Sequence, residues 1–196
     1  MKLTRDFYIR EDVVEIARDL LGKVLCTRIG GTLTTAVITE TEAYAGVTDK
    51  ASHAYGGRRT KRTEPMFGPG GKAYVYLCYG IHHLFNVVTN VSGTPHAVLI
   101  RAGQPRVGEQ IMLERRQRAV VDARLLAGPG LLAKALGITT ALTGSSLRGR
   151  QVWIEDHDTM LDESAIAVGP RIGIDYAQED AACPYRFVAT LDGRFS

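Results

Sequence analysis

Cysteine is scarce in this sequence, and its copies are scattered. Cys26, Cys78 and Cys183 contain no Cys-x-x-Cys pair, so they supply neither a disulfide framework nor a thiolate zinc site. Isolated cysteines of this kind are typical of small buried side chains in a reducing compartment. The cysteine usage therefore favours an intracellular protein.

Long apolar runs are also missing. No stretch approaches the roughly 20 apolar residues of a membrane span, and the N-terminus has no apolar core behind a basic start. We therefore expect a soluble protein that is not secreted and that has no membrane partner. Internal repeats, low-complexity tracts and linkers are absent too, which predicts that residues 1–196 form a single domain.

Positive charge is present in modest excess but is unevenly distributed. The net charge is +3 and the pI is about 8.8, which by themselves are weak evidence for a nucleic-acid partner. Two clusters say more, because the basic loop of Arg58, Arg59, Lys61 and Arg62 spans five positions, and Arg115, Arg116 and Arg118 lie within four. Clusters of this kind favour contact with phosphates.

The hydrophobic periodicity predicts both helices and strands. Apolar residues at helical spacing indicate helices over 12–21 and 131–136 and a helix or helix pair, with its arginines outward, over 107–126. Alternating or β-branched runs predict strands over 23–29, 31–39, 95–102, 151–155, 166–168 and 186–189, and a hairpin over 73–86. The segment 45–71 reads as a long loop. Together these elements predict an α+β fold.

The hairpin carries three tyrosines within six residues. In a strand, Tyr74 and Tyr76 share one face, and Gly80 places Tyr79 at or beside the turn. Tyr79 either lies on its own sheet or enters a partner as a wedge between stacked bases.

Two carboxylates follow the strand over 31–39. Glu40 and Glu42 share a face only if the strand does not turn or bulge between them. Each is either a salt-bridged residue at a strand end or a catalytic group.

The helix over 131–136 begins after Gly128-Pro129-Gly130, whose backbone amides either cap the helix or also hold a phosphate.

Several motifs occur together in an order that resembles the alkyladenine (3-methyladenine, or N-methylpurine) DNA glycosylase family. The resemblance runs over nearly the whole chain. Its motifs are Thr39 to Tyr44, Ser52-His53, Met66 to Gly68, the Tyr-Val-Tyr-x-x-Tyr-Gly hairpin, Asn86, Leu99 to Ala102, Gly128-Pro129 and Arg171 to Ile174. The sequence departs from the family pattern at Thr63, Gly103, Gln104 and Leu131.

The resemblance implies a fold and a role for each matching residue. The fold would be a single α+β domain, with a curved or open-barrel-like antiparallel sheet, flanking helices and a protruding hairpin. Glu42 and Arg101 would be catalytic, Tyr79 would intercalate into DNA, and the basic loop with Gly128 and Gly130 would contact the DNA backbone. The base pocket would contain Tyr44, His53, Tyr76 and Asn86.

The implied reaction is hydrolysis of the bond between an alkylated purine and its sugar. A base inside a duplex must first be rotated out of the stack, and a carboxylate open to the cleft would then activate water. We expect 3-methyladenine as a substrate, with hypoxanthine and etheno-adenine as further candidates. No lysine stands where a Schiff base with the sugar is expected, which predicts a glycosylase without lyase activity. We also expect no cofactor and no metal.

The resemblance also implies the partner and the location. The partner would be double-stranded DNA that contains damaged purines, bound by a monomer. The location would be the bacterial cytoplasm, with the nucleoid, or the nucleus of a eukaryote.

Two other functions remain open at this point. The first is a non-catalytic nucleic-acid-binding protein that uses the same hairpin and basic loop. The second is a metal-dependent hydrolase built on Glu42 and three histidines, which are His53, His82 and His83. Adjacent histidines on a strand point to opposite faces, which argues against a shared ion.

Overall fold

The computed structural model describes residues 1–159 and 161–191. Its helices are α1 (Arg5–Tyr8), α2 (Val13–Asp19), α3 (Glu109–Arg116) and α4 (Pro129–Leu136). Its strands are β1 (Val24–Ile29), β2 (Thr32–Tyr44), β3 (Lys72–Cys78), β4 (His82–Thr89), β5 (His96–Val107), β6 (Val152–Glu155), β7 (Ile166–Gly169) and β8 (Arg186–Ala189). Short 3-10 turns lie in the loops, at Gly46–Thr48, Tyr55–Gly57, Glu64–Phe67, Thr140–Leu142, Glu163–Ala165 and Asp175–Ala182. The predicted loop over 45–71 contains three of these turns and no strand.

The strands form one curled antiparallel sheet. Its order is β3-β4-β5-β2-β1-β6, and β8 pairs with both β2 and β7. The two longest strands, β2 and β5, bend together because their register shifts at Thr35/Ala36, Ile38/Glu40 and Glu40/Thr41, and bulges of this kind increase local twist. The result is an open half-barrel with flanking helices, which confirms the predicted α+β fold class.

The helices cover one face of the sheet. The strand residues on that face, such as Val75, Phe85 and Ile100, belong to the main core together with Ile16 of α2 and Leu132 of α4. The alternate residues of the same strands point to the opposite face. The hairpin and β2 carry their polar and aromatic residues on this second face. No α-helix among the described residues covers that part of the sheet.

The predicted hairpin is formed by β3 and β4. Its turn contains two consecutive residues with positive φ, Tyr79 at 50° and Gly80 at 73°, and Ile81 N–H donates to the Cys78 carbonyl at 3.1 Å. This tight turn leaves the Tyr79 side chain 91% exposed. Tyr79 therefore does not lie on its own sheet.

The predicted helix over 107–126 is wrong in its second half. Helix α3 ends at Arg116 because Gln117 adopts a left-handed conformation, with φ of 55°. The chain then turns back, and Arg116 Nε donates to the Leu125 carbonyl at 3.1 Å. Arg115 also points inward, to the Ala135 carbonyl at 3.0 Å. These two arginines join segments of the protein and do not form the outward basic patch expected.

No helix within residues 1–159 and 161–191 is long and apolar enough to cross a membrane.

Candidate functional site

The sheet register places four side chains in one row on the face free of helices. Tyr74 of β3 pairs with Asn86 of β4, Asn86 pairs with Leu99 of β5, and Leu99 pairs with Glu42 of β2. Neighbouring strands lie about 4.8 Å apart, so the row spans about 14 Å from Tyr74 to Glu42. Strand pairing alone therefore brings residues far apart in sequence to one site.

The Glu42 carboxylate is fully buried, with 0% exposure. Its Oε1 accepts a hydrogen bond from the Ile172 backbone N–H at 2.8 Å and lies 3.3 Å from Arg101 Nη1. Its Oε2 accepts a hydrogen bond from the Tyr44 hydroxyl at 2.8 Å. The expected contact with the aromatic cleft is present, but the expected opening to water is not, because these three residues cover the carboxylate.

Both carboxylates of β2 point towards Arg101, although the strand bulges between them. Arg101 Nε donates to Glu40 Oε1 at 2.9 Å, and Arg186 Nε donates to the same oxygen at 2.6 Å. The expectation that a bulge would send Glu40 and Glu42 to different faces is therefore wrong. The register shifts between Ile38 and Glu40 and between Glu40 and Thr41. Glu40 and Glu42 still meet the same guanidinium.

Aromatic side chains form the other wall of the site. His53 Nδ1 and the Tyr74 hydroxyl lie 2.9 Å apart, and the rings of His53 and Tyr76 meet edge to face with centroids 4.6 Å apart. The guanidinium of Arg62 lies 4.9 Å from the centre of the Tyr76 ring. These contacts hold the imidazole and the two phenol rings in one fixed arrangement.

A cavity of about 330 Å³ opens between the aromatic wall and β2. Tyr44, His53, Tyr76, Asn86 and Arg101 all line it, and so does Tyr79 at the hairpin turn. Asn86 is 4% exposed, and its amide donates to the carbonyls of Tyr74 and Leu84 at 3.2 and 3.4 Å. The sequence-predicted base-pocket residues therefore line one cavity.

Burial and neighbouring charge shift two pKa values in this site. Burial, assisted by the charges of Arg62 and Arg58, lowers the pKa of His53 to about 4. The imidazole is therefore neutral at physiological pH. Burial and the adjacent Glu42 raise the pKa of Tyr44, so its hydroxyl keeps its proton and acts as a hydrogen-bond donor.

Four residues of the site were not predicted. Tyr74 was assigned only to the hairpin pattern, and Arg171 and Ile172 only to a family motif. Arg171 is buried behind Tyr44, and Tyr176 is 66% exposed at the rim of the cavity. Neither hydrophobic period nor motif spacing indicates that Arg171 and Ile172 meet β2, because they belong to an irregular segment.

The basic loop borders the cavity and is ordered by Thr63. The Thr63 hydroxyl accepts from Thr60 N–H at 2.8 Å and donates to the Arg58 carbonyl at 2.9 Å. Arg59 pairs with Glu64, with Nη2 and Oε1 2.6 Å apart. Arg58 and Arg62 line a smaller cavity of about 280 Å³ beside the first. Arg59 is therefore held by an ion pair, Arg58 and Arg62 line a cavity, and Lys61 is exposed.

The start of α4 lies next to the hairpin. Gly128 is the N-cap, with φ of 105°, and Pro129 begins the helix. A Cβ on Gly130 would lie 2.8 Å from the imidazole of His82. The glycine therefore makes room for His82, so the helix start and the hairpin are close enough to face one common partner.

Among residues 1–159 and 161–191, no three His, Cys, Asp or Glu side chains are grouped as metal ligands would be. A larger cavity, of about 480 Å³, lies elsewhere, lined by residues such as Val37, Arg106 and Asp122. It contains none of the sequence-predicted site residues.

Comparison with known proteins agrees with the resemblance noted in the sequence. The family model described as methylpurine-DNA glycosylase matches residues 6–192. A protein of Chlamydia felis is 46% identical over 190 residues, which cover 96% of each chain. Proteins of Desulfitobacterium hafniense and Bacillus cereus are 43% identical (95% of this chain, 94% of the relative) and 46% identical (95% of both). All three carry the name "Putative 3-methyladenine DNA glycosylase".

Proposed function

Because the chain belongs to the methylpurine-DNA glycosylase family, we propose that it excises alkylated purines from double-stranded DNA and leaves an abasic site. Its relatives are named for 3-methyladenine, which is the first substrate we propose, with hypoxanthine and etheno-adenine as further candidates. The whole chain would act as a single alkylpurine DNA glycosylase domain. The observation that carries the proposal is a buried carboxylate, Glu42, directly behind an aromatic cavity that opens beside an exposed hairpin tip.

The first step is extrusion of the damaged nucleotide. A base in a duplex is out of reach, and rotating it out leaves a gap that an inserted side chain can fill. Two observations support Tyr79 in this role: the residue is 91% exposed, and it borders the cavity. The loop of Arg58, Arg59, Lys61 and Arg62, with the backbone at Gly128 and Gly130, would hold the flanking phosphates.

The cavity would then select the base. Tyr44, His53 and Tyr76 offer aromatic ring faces, and such faces attract a positively charged alkylated purine more than a neutral one. The neutral His53 adds no opposing charge. Asn86 would exclude guanine, because the exocyclic amino group of guanine would clash with the Asn86 side chain. The two hydrogen bonds from the Asn86 amide to backbone carbonyls support this role, because they hold the side chain in one position.

Hydrolysis would use one water and Glu42. The water oxygen bonds to the sugar C1′ while the bond from C1′ to the purine nitrogen breaks, and the electron pair of that bond leaves with the base. Glu42 takes a proton from the water, and its negative charge stabilises the oxocarbenium-like sugar. Arg101 orients Glu42 through its 3.3 Å contact.

Access of water to Glu42 requires a change from the free protein. Oε1 is held by a backbone N–H and by Arg101, whereas Oε2 is held by the Tyr44 hydroxyl alone. A carboxylate oxygen can accept two hydrogen bonds. We therefore propose that the incoming nucleotide opens the Tyr44 side of the carboxylate, and that the catalytic water binds Oε2 beside the Tyr44 hydroxyl. The enzyme would act as a monomer in the compartment that holds its DNA, without lyase activity.

Replacing Glu42 with Gln tests the proposal. The variant keeps the size of the side chain but loses the base, so release of 3-methyladenine from a duplex with one lesion should fall by about 100- to 10,000-fold. Binding to the same duplex should persist. The measurement is single-turnover excision followed by alkaline cleavage of abasic sites. Full activity in E42Q would exclude the assignment.

Two comparisons complete the test. The matched control is Glu163→Gln on the surface, where the ion pair with Arg18 is largely exposed, and it should leave excision unchanged. A non-catalytic nucleic-acid-binding protein would instead show salt-sensitive binding without lesion preference or abasic product in the unaltered protein.

A further inference from the structure

Arg171 is a buried cation without a role in the reaction as described above. Its side chain has 0% exposure and pairs with Asp49, which is 3% exposed. Nη1 lies 2.5 Å from Asp49 Oδ2, and Nη2 lies 2.9 Å from Oδ1. A bidentate pair of this kind fixes the guanidinium in orientation as well as in position.

The remaining contacts of Arg171 connect three segments. Nη1 also donates to the Ala43 carbonyl of β2 at 2.9 Å, and Nη2 donates to the Asp180 carbonyl at 3.2 Å. Asp49 in turn accepts hydrogen bonds from the backbone N–H groups of Ala45 and Ala51, at 2.9 and 3.0 Å. One ion pair therefore ties β2 to the loop that follows it and to the 3-10 turn over Asp175–Ala182.

Two of the groups that surround Glu42 adjoin Arg171. The guanidinium lies 4.8 Å from the centre of the Tyr44 ring, and that ring donates its hydroxyl to Glu42 Oε2. Arg171 is also the residue before Ile172, whose N–H donates to Glu42 Oε1. Each carboxylate oxygen thus accepts a hydrogen bond from a residue that contacts Arg171 or follows it in the chain.

We propose that Arg171, held by Asp49, is a positioning residue that sets the geometry of Glu42 relative to the base cavity through Tyr44 and Ile172. Arg171 does not line the cavity, so it would not touch the substrate. Its effect would reach the reaction only through these two neighbours. The proposal rests on the proposed function, because it assigns a role within that reaction.

A lysine at position 171 would keep the charge but lose the planar fork, because an ammonium group is a compact point charge. Displacement of a catalytic group by about 1 Å costs up to about 100-fold in rate. We therefore expect R171K to lower the single-turnover excision rate by roughly 10- to 100-fold, with little change in the dissociation constant for the lesion duplex. Asp49→Asn should give the same pattern by weakening the other partner.

A double-mutant cycle separates positioning from loss of structure. Tyr44→Phe removes the hydroxyl but keeps the ring, and if Arg171 acts through Tyr44, the rate losses of R171K and Y44F will not add in the double variant. Arg115→Lys is the matched control, since Arg115 is a partly buried arginine that donates to the Ala135 carbonyl, and neither residue lines the cavity. R115K should keep the excision rate in the folded protein and show additive behaviour with Y44F.

The outcomes are distinct. Unaltered protein that releases no 3-methyladenine would overturn the proposed function itself. If the unaltered protein is active, two results would overturn only the positioning role. The first is that R171K and D49N excise the base at the rate of the unaltered protein. The second is that the rate losses in the cycle are strictly additive. If R171K does not fold, as its melting transition would show, D49N and its cycle with Y44F decide the question.

Discussion

Removing the Tyr79 ring should weaken binding of the flipped base without changing the stability of the fold. Tyr79 is 91% exposed at the hairpin turn, so Tyr79→Ala removes almost no buried surface and should change the free energy of unfolding by no more than about 0.5 kcal/mol. In the complex, stacking of an aromatic ring on a base is worth about 1–3 kcal/mol. At about 1.4 kcal/mol per factor of ten, the flipped complex should be disfavoured by about 5- to 150-fold.

The assay uses a duplex with a single etheno-adenine, whose fluorescence rises when the base leaves the stack. Y79A should lower both this signal and the single-turnover excision rate, whereas Tyr79→Phe should retain both because the ring remains. Val120→Ala, a change of another exposed apolar residue, serves as the surface control. Unchanged flipping in Y79A would refute the intercalation role, and a large drop in melting temperature would refute the claim that the ring is free.

Two further predictions concern the cavity. The pKa of His53 is about 4 in the folded protein and about 6.5 in the unfolded chain. Between about pH 6.5 and 4 the unfolded chain therefore binds a proton at His53 that the folded protein does not bind. The free energy of unfolding should keep its full value above about pH 6.5 and fall by about 3 kcal/mol as the pH drops to about 4. Urea unfolding of the unaltered protein and of His53→Gln should show this slope only in the former. Asn86→Ala should increase release of guanine from duplex DNA relative to 3-methyladenine, as measured by base analysis, and an unchanged ratio would remove Asn86 from the selection of bases.

The sequence indicated the secondary structure well where one hydrophobic period dominates a segment. The hairpin, β2, β5 and α4 all have a clear alternation or helical spacing, and each was found where it was predicted. However, β2 and β5 continue to Tyr44 and Val107, beyond the predicted ends at 39 and 102, so Glu40 and Glu42 lie inside β2. The helix over 107–126 failed because its two apolar ends, around Met112 and around Leu125, are separated by charged residues. Both ends are buried, but the chain reaches the second by a left-handed turn at Gln117, which no periodic pattern reports.

The sequence by itself determined the α+β class and put Tyr79 at or beside the hairpin turn. Both follow from local rules, because alternation and turn residues act over short stretches of chain. The base-pocket residues Tyr44, His53, Tyr76 and Asn86 came from the resemblance to a known family, and they line one cavity. Only the tertiary structure decided that Glu40 and Glu42 share Arg101, that Tyr44 covers the carboxylate and that Arg171 lies behind them. Arg101 lies 61 positions from Glu40, and Arg171 lies 128 positions from Ala43. All of these contacts depend on strand register and on irregular loops, whose geometry is set by the packing of the whole chain.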